Sequence, residues 1–246
     1  MTETAIKNHE ELWPGYVPMQ TDPELMEFFG NWAFDEVTNH GNIDSKTRVM
    51  MIFASSIATG ALTESKLFVK AALNIGVDPI EIKEIVYQAI PYVGVARVID
   101  FLISTNEILT ERGINLPLEP QSTTTPESRM EKGLALQKEI FGDMIDNLYK
   151  QSPANHLHIQ KFLSANCFGD YLTRKGLDVQ TRELLTYSML ISMGGAESQV
   201  KGHIVGNLKV GNTKELLIAI TTQLLPYIGY PRTLNALSTI NEIIAE

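Results

Sequence analysis

Glu183 and His203 are the two side chains whose types and setting could do acid/base chemistry. Glu183 lies near the start of a long apolar run, and His203 closes the segment GGAESQVKGH, which opens on Gly194-Gly195. A helix, a glycine break and a second helix would fold the two residues back on each other as an αα-hairpin. A carboxylate in an apolar helix is costly unless it is paired. A histidine partner would satisfy it, while the carboxylate would fix the ring's tautomer and favour its charged form. Such a pair can serve as a general acid/base unit. It can also be a polar tie between two helices, and spacing alone leaves both readings open.

Other chemistries lack their parts. Cys167 is the single cysteine, so neither an intramolecular disulfide nor a cysteine-based zinc site can form. Its neighbours in FLSANCFGD suit a thiol that packs as a small hydrophobe. His156 and His158 are two residues apart and would face different ways on a helix, with no further metal ligands beside them. His9 and His40 read as solvated. No Gly-x-Gly-x-x-Gly, phosphate-cradling loop or Gly-x-Ser-x-Gly elbow occurs. No metal or cofactor is expected. The net charge of −9 argues against nucleic acid as a partner. No apolar run is long enough for a membrane span, and the N-terminus has no apolar signal core, so the expected location is cytoplasmic.

The elements that must position the pair come twice. Asp44-Ser-Lys-Thr-Arg48 recurs as Asp178-Val-Gln-Thr-Arg182, offset by 134. Gln88-Ala-Ile-Pro-Tyr92-Val-Gly94 recurs as Gln223-Leu-Leu-Pro-Tyr227-Ile-Gly229, offset by 135, and the added residue falls at Gly194-Gly195. The chain divides into a first repeat (1–114), a linker rich in Pro, Ser and Thr (115–129) and a second repeat (130–246). Asp44 and Asp178 suit N-caps of helices whose apolar runs, Val49–Ile57 and Leu184–Met193, are too continuous to face solvent. Thr125-Pro126-Glu127 has the form of a further helix start, and Ile80–Tyr92 and Lys214–Tyr227 carry helix-spaced apolar residues up to Pro-Tyr-x-Gly. The fold class is all-α, two tandem helical bundles. Aligned by the two offsets, Glu183 corresponds to Val49 and His203 to Phe68. Scaffolding would be expected in both copies, so the asymmetry favours a functional pair.

Arg182-Glu183-Leu-Leu-Thr, the segment from Gly194 to His203 and Gln223-Leu-Leu-Pro-Tyr-Ile-Gly229 together resemble the carboxymuconolactone decarboxylase family, within the alkylhydroperoxidase D-like superfamily. The similarity spans both halves and is stronger in the second. It implies bundles that assemble into rings, here a homotrimer standing in for a hexamer of single domains. It also implies a cofactor-free carboxy-lyase acting on a small carboxylated lactone or similar acidic metabolite from aromatic-acid breakdown. In that role His203 would protonate the dienolate left by loss of CO2, with Glu183 orienting it. Lys201, Arg182 and Arg232 are the candidate cations for substrate carboxylates, and Tyr227 the candidate donor to the lactone oxygen. Arg182, Arg232 and Tyr227 have counterparts in Arg48, Arg97 and Tyr92, which also suits scaffold roles. Two alternatives stand: an alkylhydroperoxidase-like antioxidant protein, disfavoured because Ala196 and Gln199 occupy the expected cysteine positions, and a non-catalytic binding module.

Overall fold

A computed structural model describes residues 1–244 except Tyr16 and Pro18, and among these there is no β-strand. The first half comprises α1 (Glu3–Leu12), α2 (Pro23–Asn31), α3 (Ser45–Thr59), α4 (Leu62–Asn74), α5 (Pro79–Val93) and α6 (Val95–Glu111). The second comprises α7 (Arg129–Phe141), α8 (Met144–Gln151), α9 (Leu157–Phe162), α10 (Val179–Met193), α11 (Glu197–Lys209) and α12 (Lys214–Ile243). A π-helical segment follows α2 (Trp32–Glu36) and another follows α9 (Leu163–Leu172), so even this irregularity repeats.

The central helices are α3 and α10. Asp44 accepts from the Thr47 amide at 2.9 Å and Asp178 from the Thr181 amide at 2.7 Å, the N-caps that the sequence indicates. Burial then runs without interruption from Val49 to Ala58 and from Arg182 to Ser192. These helices pack against each other, and Ser192 Oγ donates to Ser55 Oγ at 2.8 Å across the contact. α12 is the fused counterpart of α5 and α6. Its Gly229 (φ 78°, ψ 165°) takes the conformation that Gly94 (φ 84°, ψ 144°) takes between α5 and α6. Both Pro-Tyr-x-Gly stretches thus end a helix at the same kink.

The linker lies between α6 and α7, as its composition requires. α7 begins at Arg129, four residues beyond the Thr125 cap read from sequence. Thr125 instead closes a turn with Ser128: its amide donates to Ser128 Oγ at 2.9 Å and its carbonyl accepts from the Ser128 amide at 3.1 Å. The hydroxyl of Ser128 thus competes for the groups that a helical turn would use.

The two repeats divide the sequence but not the core. One continuous apolar cluster joins Phe53, Phe68 and Ile85 to Leu185, Ile204 and Leu224. The connection is reciprocal. α5 of the first half packs on α10, where Gln88 Nε2 donates to the Arg182 carbonyl (2.8 Å) and Thr186 Oγ1 (3.1 Å). α12 of the second half packs on α3, and Gln223 donates to the Val37 (2.9 Å) and His40 (2.8 Å) carbonyls. Each half therefore lends the other the helix that carries its Pro-Tyr-x-Gly.

Candidate functional site

Glu183 and His203 meet. His203 Nδ1 lies 2.8 Å from Glu183 Oε2, with the carboxylate wholly buried and the imidazole 12% exposed. The hairpin that joins them turns at Gly194 (φ 70°) and Gly195 (φ 69°), two successive positive-φ residues that side chains with a Cβ rarely tolerate. Two α11 residues make the meeting possible. Gly206 leaves room for the carboxylate: a Cβ there would sit 2.6 Å from Glu183 Oε2 and 3.0 Å from Phe141 Cε1. Asn207 ties the helices by donating to the Glu183 carbonyl (3.1 Å) and the His203 carbonyl (2.7 Å), and its Oδ1 accepts from Asn212 at 2.8 Å. Sequence reasoning passed over both. Their signal is that the counterparts of Gly206, Asn207 and Asn212 are Ala71, Ala72 and Val77, the same loss of polarity seen at Val49 and Phe68.

His203 opens onto a cavity of about 490 Å³ between α5, α7, α8, the second π-helical segment and the α10–α11 hairpin. Most of its wall is apolar, with Phe141, Leu148, Leu163, Phe168, Leu190 and Met193 prominent. The imidazole is framed by aromatic edges, with ring centroids 5.4 Å from Phe141 and 5.9 Å from Tyr92. Tyr92 was missed as a site residue because it belongs to the first half and reaches the second only through the packing of α5 on α10. Its hydroxyl is shut off from solvent and lies against Thr186 and Cys167. Burial raises its pKa well above the ordinary phenol value, and the neighbouring Cys167 and Glu183 push the same way.

Cys167 also lines the cavity, a place its sequence neighbours do not indicate. Burial pushes its thiol pKa up to about 12, so it remains protonated near neutral pH and lacks the thiolate that attack or redox exchange requires.

The four candidate substrate contacts lie elsewhere. Tyr227 is the mirror of Tyr92 and serves the first half, its ring 5.4 Å from Phe68 and 6.2 Å from Phe29. Arg182 is 1% exposed and donates to Glu84 Oε2 (2.9 Å), Gln88 Oε1 (2.9 Å) and the carbonyls of Arg174 and Lys175. It fastens the two halves together, and removal from water lowers its pKa despite the Glu84 partner. Lys201 pairs with Glu242 of α12. Arg232 stands over Gly194 in a separate shallow crevice, its Nε 3.3 Å from where a Gly194 Cβ would be. None of the four lines the His203 cavity.

A buried carboxylate–imidazole pair beside an apolar cavity, on a duplicated helical hairpin, defines a class. The sequence profile of the Carboxymuconolactone decarboxylase family matches residues 23–107 and again 158–242, and the chain belongs to this family. A 4-carboxymuconolactone decarboxylase of Acinetobacter baylyi is 26% identical over 121 residues, 49% of this chain and 90% of that protein. One relative thus corresponds to about half of the chain, as a tandem duplication requires. Among the described residues, no helix is long and apolar enough to cross a membrane, and no three His, Cys, Asp or Glu cluster as metal ligands.

Proposed function

We propose that the second half carries a general acid/base centre in which His203 moves a proton to or from a substrate carbon. Glu183 holds Nδ1, which leaves Nε2 as the ring nitrogen available to the cavity. By accepting from Nδ1–H the carboxylate fixes the tautomer, and it stabilises the imidazolium whenever Nε2 takes a proton. The observation that supports this reading most directly is the 2.8 Å Glu183–His203 contact beside a mostly apolar cavity, together with its replacement by Val49 and Phe68 in the repeat. Loss of CO2 from a carboxylated lactone would use the same proton donor. The lining, however, supplies none of the cations that were candidates for holding its carboxylates.

The antioxidant reading gains nothing from the site, since the single thiol is buried and protonated. Assembly into a trimer is part of the proposal. Val95, Ile99 and Ile103 form an exposed apolar stripe on α6, and Tyr230 and Leu234, the repeat counterparts of Val95 and Ile99, form a shorter one on α12.

Substitution by the residues of the first half tests the centre. His203→Phe and Glu183→Val are each expected to fold and to lose about 10²–10⁴-fold in proton transfer, read as deuterium uptake into a bound carbonyl compound. The double variant should be little worse than either single one, because the pair acts as a unit. A purely structural tie gives another pattern. Each single change would lower the melting temperature, the double change would recover part of it, and deuterium uptake would stay at the wild-type level in all three variants.

A further inference from the structure

We infer that the cavity beside His203 takes an uncharged, largely apolar carbonyl compound, of the kind represented by an alkyl-substituted unsaturated lactone, and excludes dicarboxylates. The inference rests on the acid/base reading of Glu183 and His203 and adds to it the class of molecule on which the pair acts.

Charge is the first argument. Among the described residues no Lys, Arg, Asp or Glu lines the cavity, and His203 is its single ionisable cation-former. When His203 is protonated, the Glu183 carboxylate 2.8 Å away already balances it, so the pair together is neutral. A substrate carboxylate would enter an apolar space with no unmatched positive charge to meet it. The desolvation cost of an ion in such surroundings is not returned by a cation that already has a partner. Of the candidate cations, Arg182 is held by Glu84 and Gln88 and Lys201 by Glu242, while Arg232 lies beside Gly194 and outside this lining. A relative that acts on a carboxylated lactone needs something this lining does not provide.

The hydrogen-bonding groups supply the second argument. Gln137 Oε1 already accepts from Ser164 Oγ. The Tyr92 hydroxyl is shut off from the cavity against Cys167 and Thr186, so Tyr92 offers a ligand its ring. Size and lining are those of sites that bury most of a small apolar ligand.

The chemistry then balances without a co-reactant. His203 Nε2 takes a proton from the carbon next to the carbonyl or conjugated with it. The C–H electron pair moves into the carbonyl to form an enolate, whose charge the His203 imidazolium balances. The proton returns from Nε2 to the same carbon or to the other end of the conjugated system.

The test uses the neutral fluorophore N-phenyl-1-naphthylamine as the reporter, with a pentyl-substituted butenolide and the same butenolide bearing a ring carboxylate as competitors. The neutral lactone is expected to displace the fluorophore at least about tenfold more effectively than the carboxylated one. Gly202→Leu should abolish displacement. It copies Leu67 of the first half, and a Cβ at Gly202 meets nothing within 4 Å, so the melting temperature should hold while the cavity fills. Absence of displacement, equal or tighter binding of the carboxylated lactone, or unchanged displacement in Gly202→Leu would each overturn the inference. Deuterium uptake from D2O separates it from the acid/base reading. If the neutral lactone binds but His203→Phe leaves its exchange unchanged, the acid/base reading fails and the substrate class stands. If the carboxylated lactone binds better and exchanges only when His203 is present, the substrate class fails and the acid/base reading stands.

Discussion

In the second half Glu183, His203, Gly206 and Asn207 meet beside an open cavity; in the first, the same backbone positions carry Val49, Phe68, Ala71 and Ala72, all buried. Where His203 borders an opening, Phe68 borders a plug. Trp13 packs its ring 5.4 Å from Phe68 and 5.7 Å from Phe34, and its Nε1 donates to the Leu67 carbonyl at 2.9 Å. A smaller cavity of about 250 Å³ remains, with Phe34, Glu64 and Leu67 in its wall. One backbone thus supports two solutions: an apolar core that closes on itself, and a polar pair that holds a space open. The difference teaches that the hairpin does not need the polar pair in order to fold.

Carrying residues of the first half into the second is the sharpest way to break this comparison. Outside the pair itself, the largest effect is expected from Gly206→Ala, which copies Ala71. In a helix interior this change alone would gain about 1 kcal/mol. Here the new Cβ would lie 2.6 Å from Glu183 Oε2, and the carboxylate can give way only by leaving His203. Proton transfer should fall by about 10²-fold, the low end of what a positioned acid/base group contributes, and the melting temperature should fall with it, because the buried carboxylate loses its partner. In a Glu183→Val background the same alanine should stabilise, since Val49 and Ala71 already coexist in the first half. A Gly206→Ala variant with full activity would show that the carboxylate contact is dispensable.

What the halves share should serve assembly. The stripes Val95–Ile99–Ile103 and Tyr230–Leu234 occupy equivalent faces, so Ile99→Asp with Leu234→Asp should convert a trimer into a 27.4 kDa monomer by light scattering. A wild-type chain that is already monomeric at micromolar concentration would remove the assembly from the proposal.

The smallest effect is expected at Glu64, the counterpart of Gln199. Burial raises its pKa above the ordinary carboxylate value. A carboxyl so raised contributes its stability below its ordinary pKa and loses it as pH rises through the raised folded value. Glu64→Gln, which restores the residue of the second half, should therefore melt about one or two degrees higher at neutral pH. The advantage should fade as pH falls toward 4. Equal melting temperatures across that range would mean that Glu64 is solvated as an ordinary surface carboxylate.

Much of the fold could be read without coordinates because its determinants are local. An Asp cap followed by an unbroken apolar run specifies a central helix wherever it occurs, and two copies specify two. The Glu183–His203 meeting was legible for the same reason: both residues lie on one hairpin, and the glycines between them fix how it turns. Sequence was less informative about Thr125, where a cap signal and a Ser128 hydroxyl compete and only the surrounding chain decides the outcome.

By itself, then, the sequence determined a duplicated all-α chain, a Glu–His pair present in one copy and absent from the other, and a lone cysteine without the second thiol that dithiol chemistry needs. Tertiary structure decided which residues share the pair's cavity. Tyr227, near His203 in sequence, faces Phe68, whereas Tyr92, more than a hundred residues from His203, faces it. Arg182, adjacent to Glu183, is spent on Glu84. The physical reason is that a helix sends neighbouring residues to different faces, and which helix covers which face is settled by packing between the halves. That packing is a property of the whole core, and no local stretch of the chain encodes it.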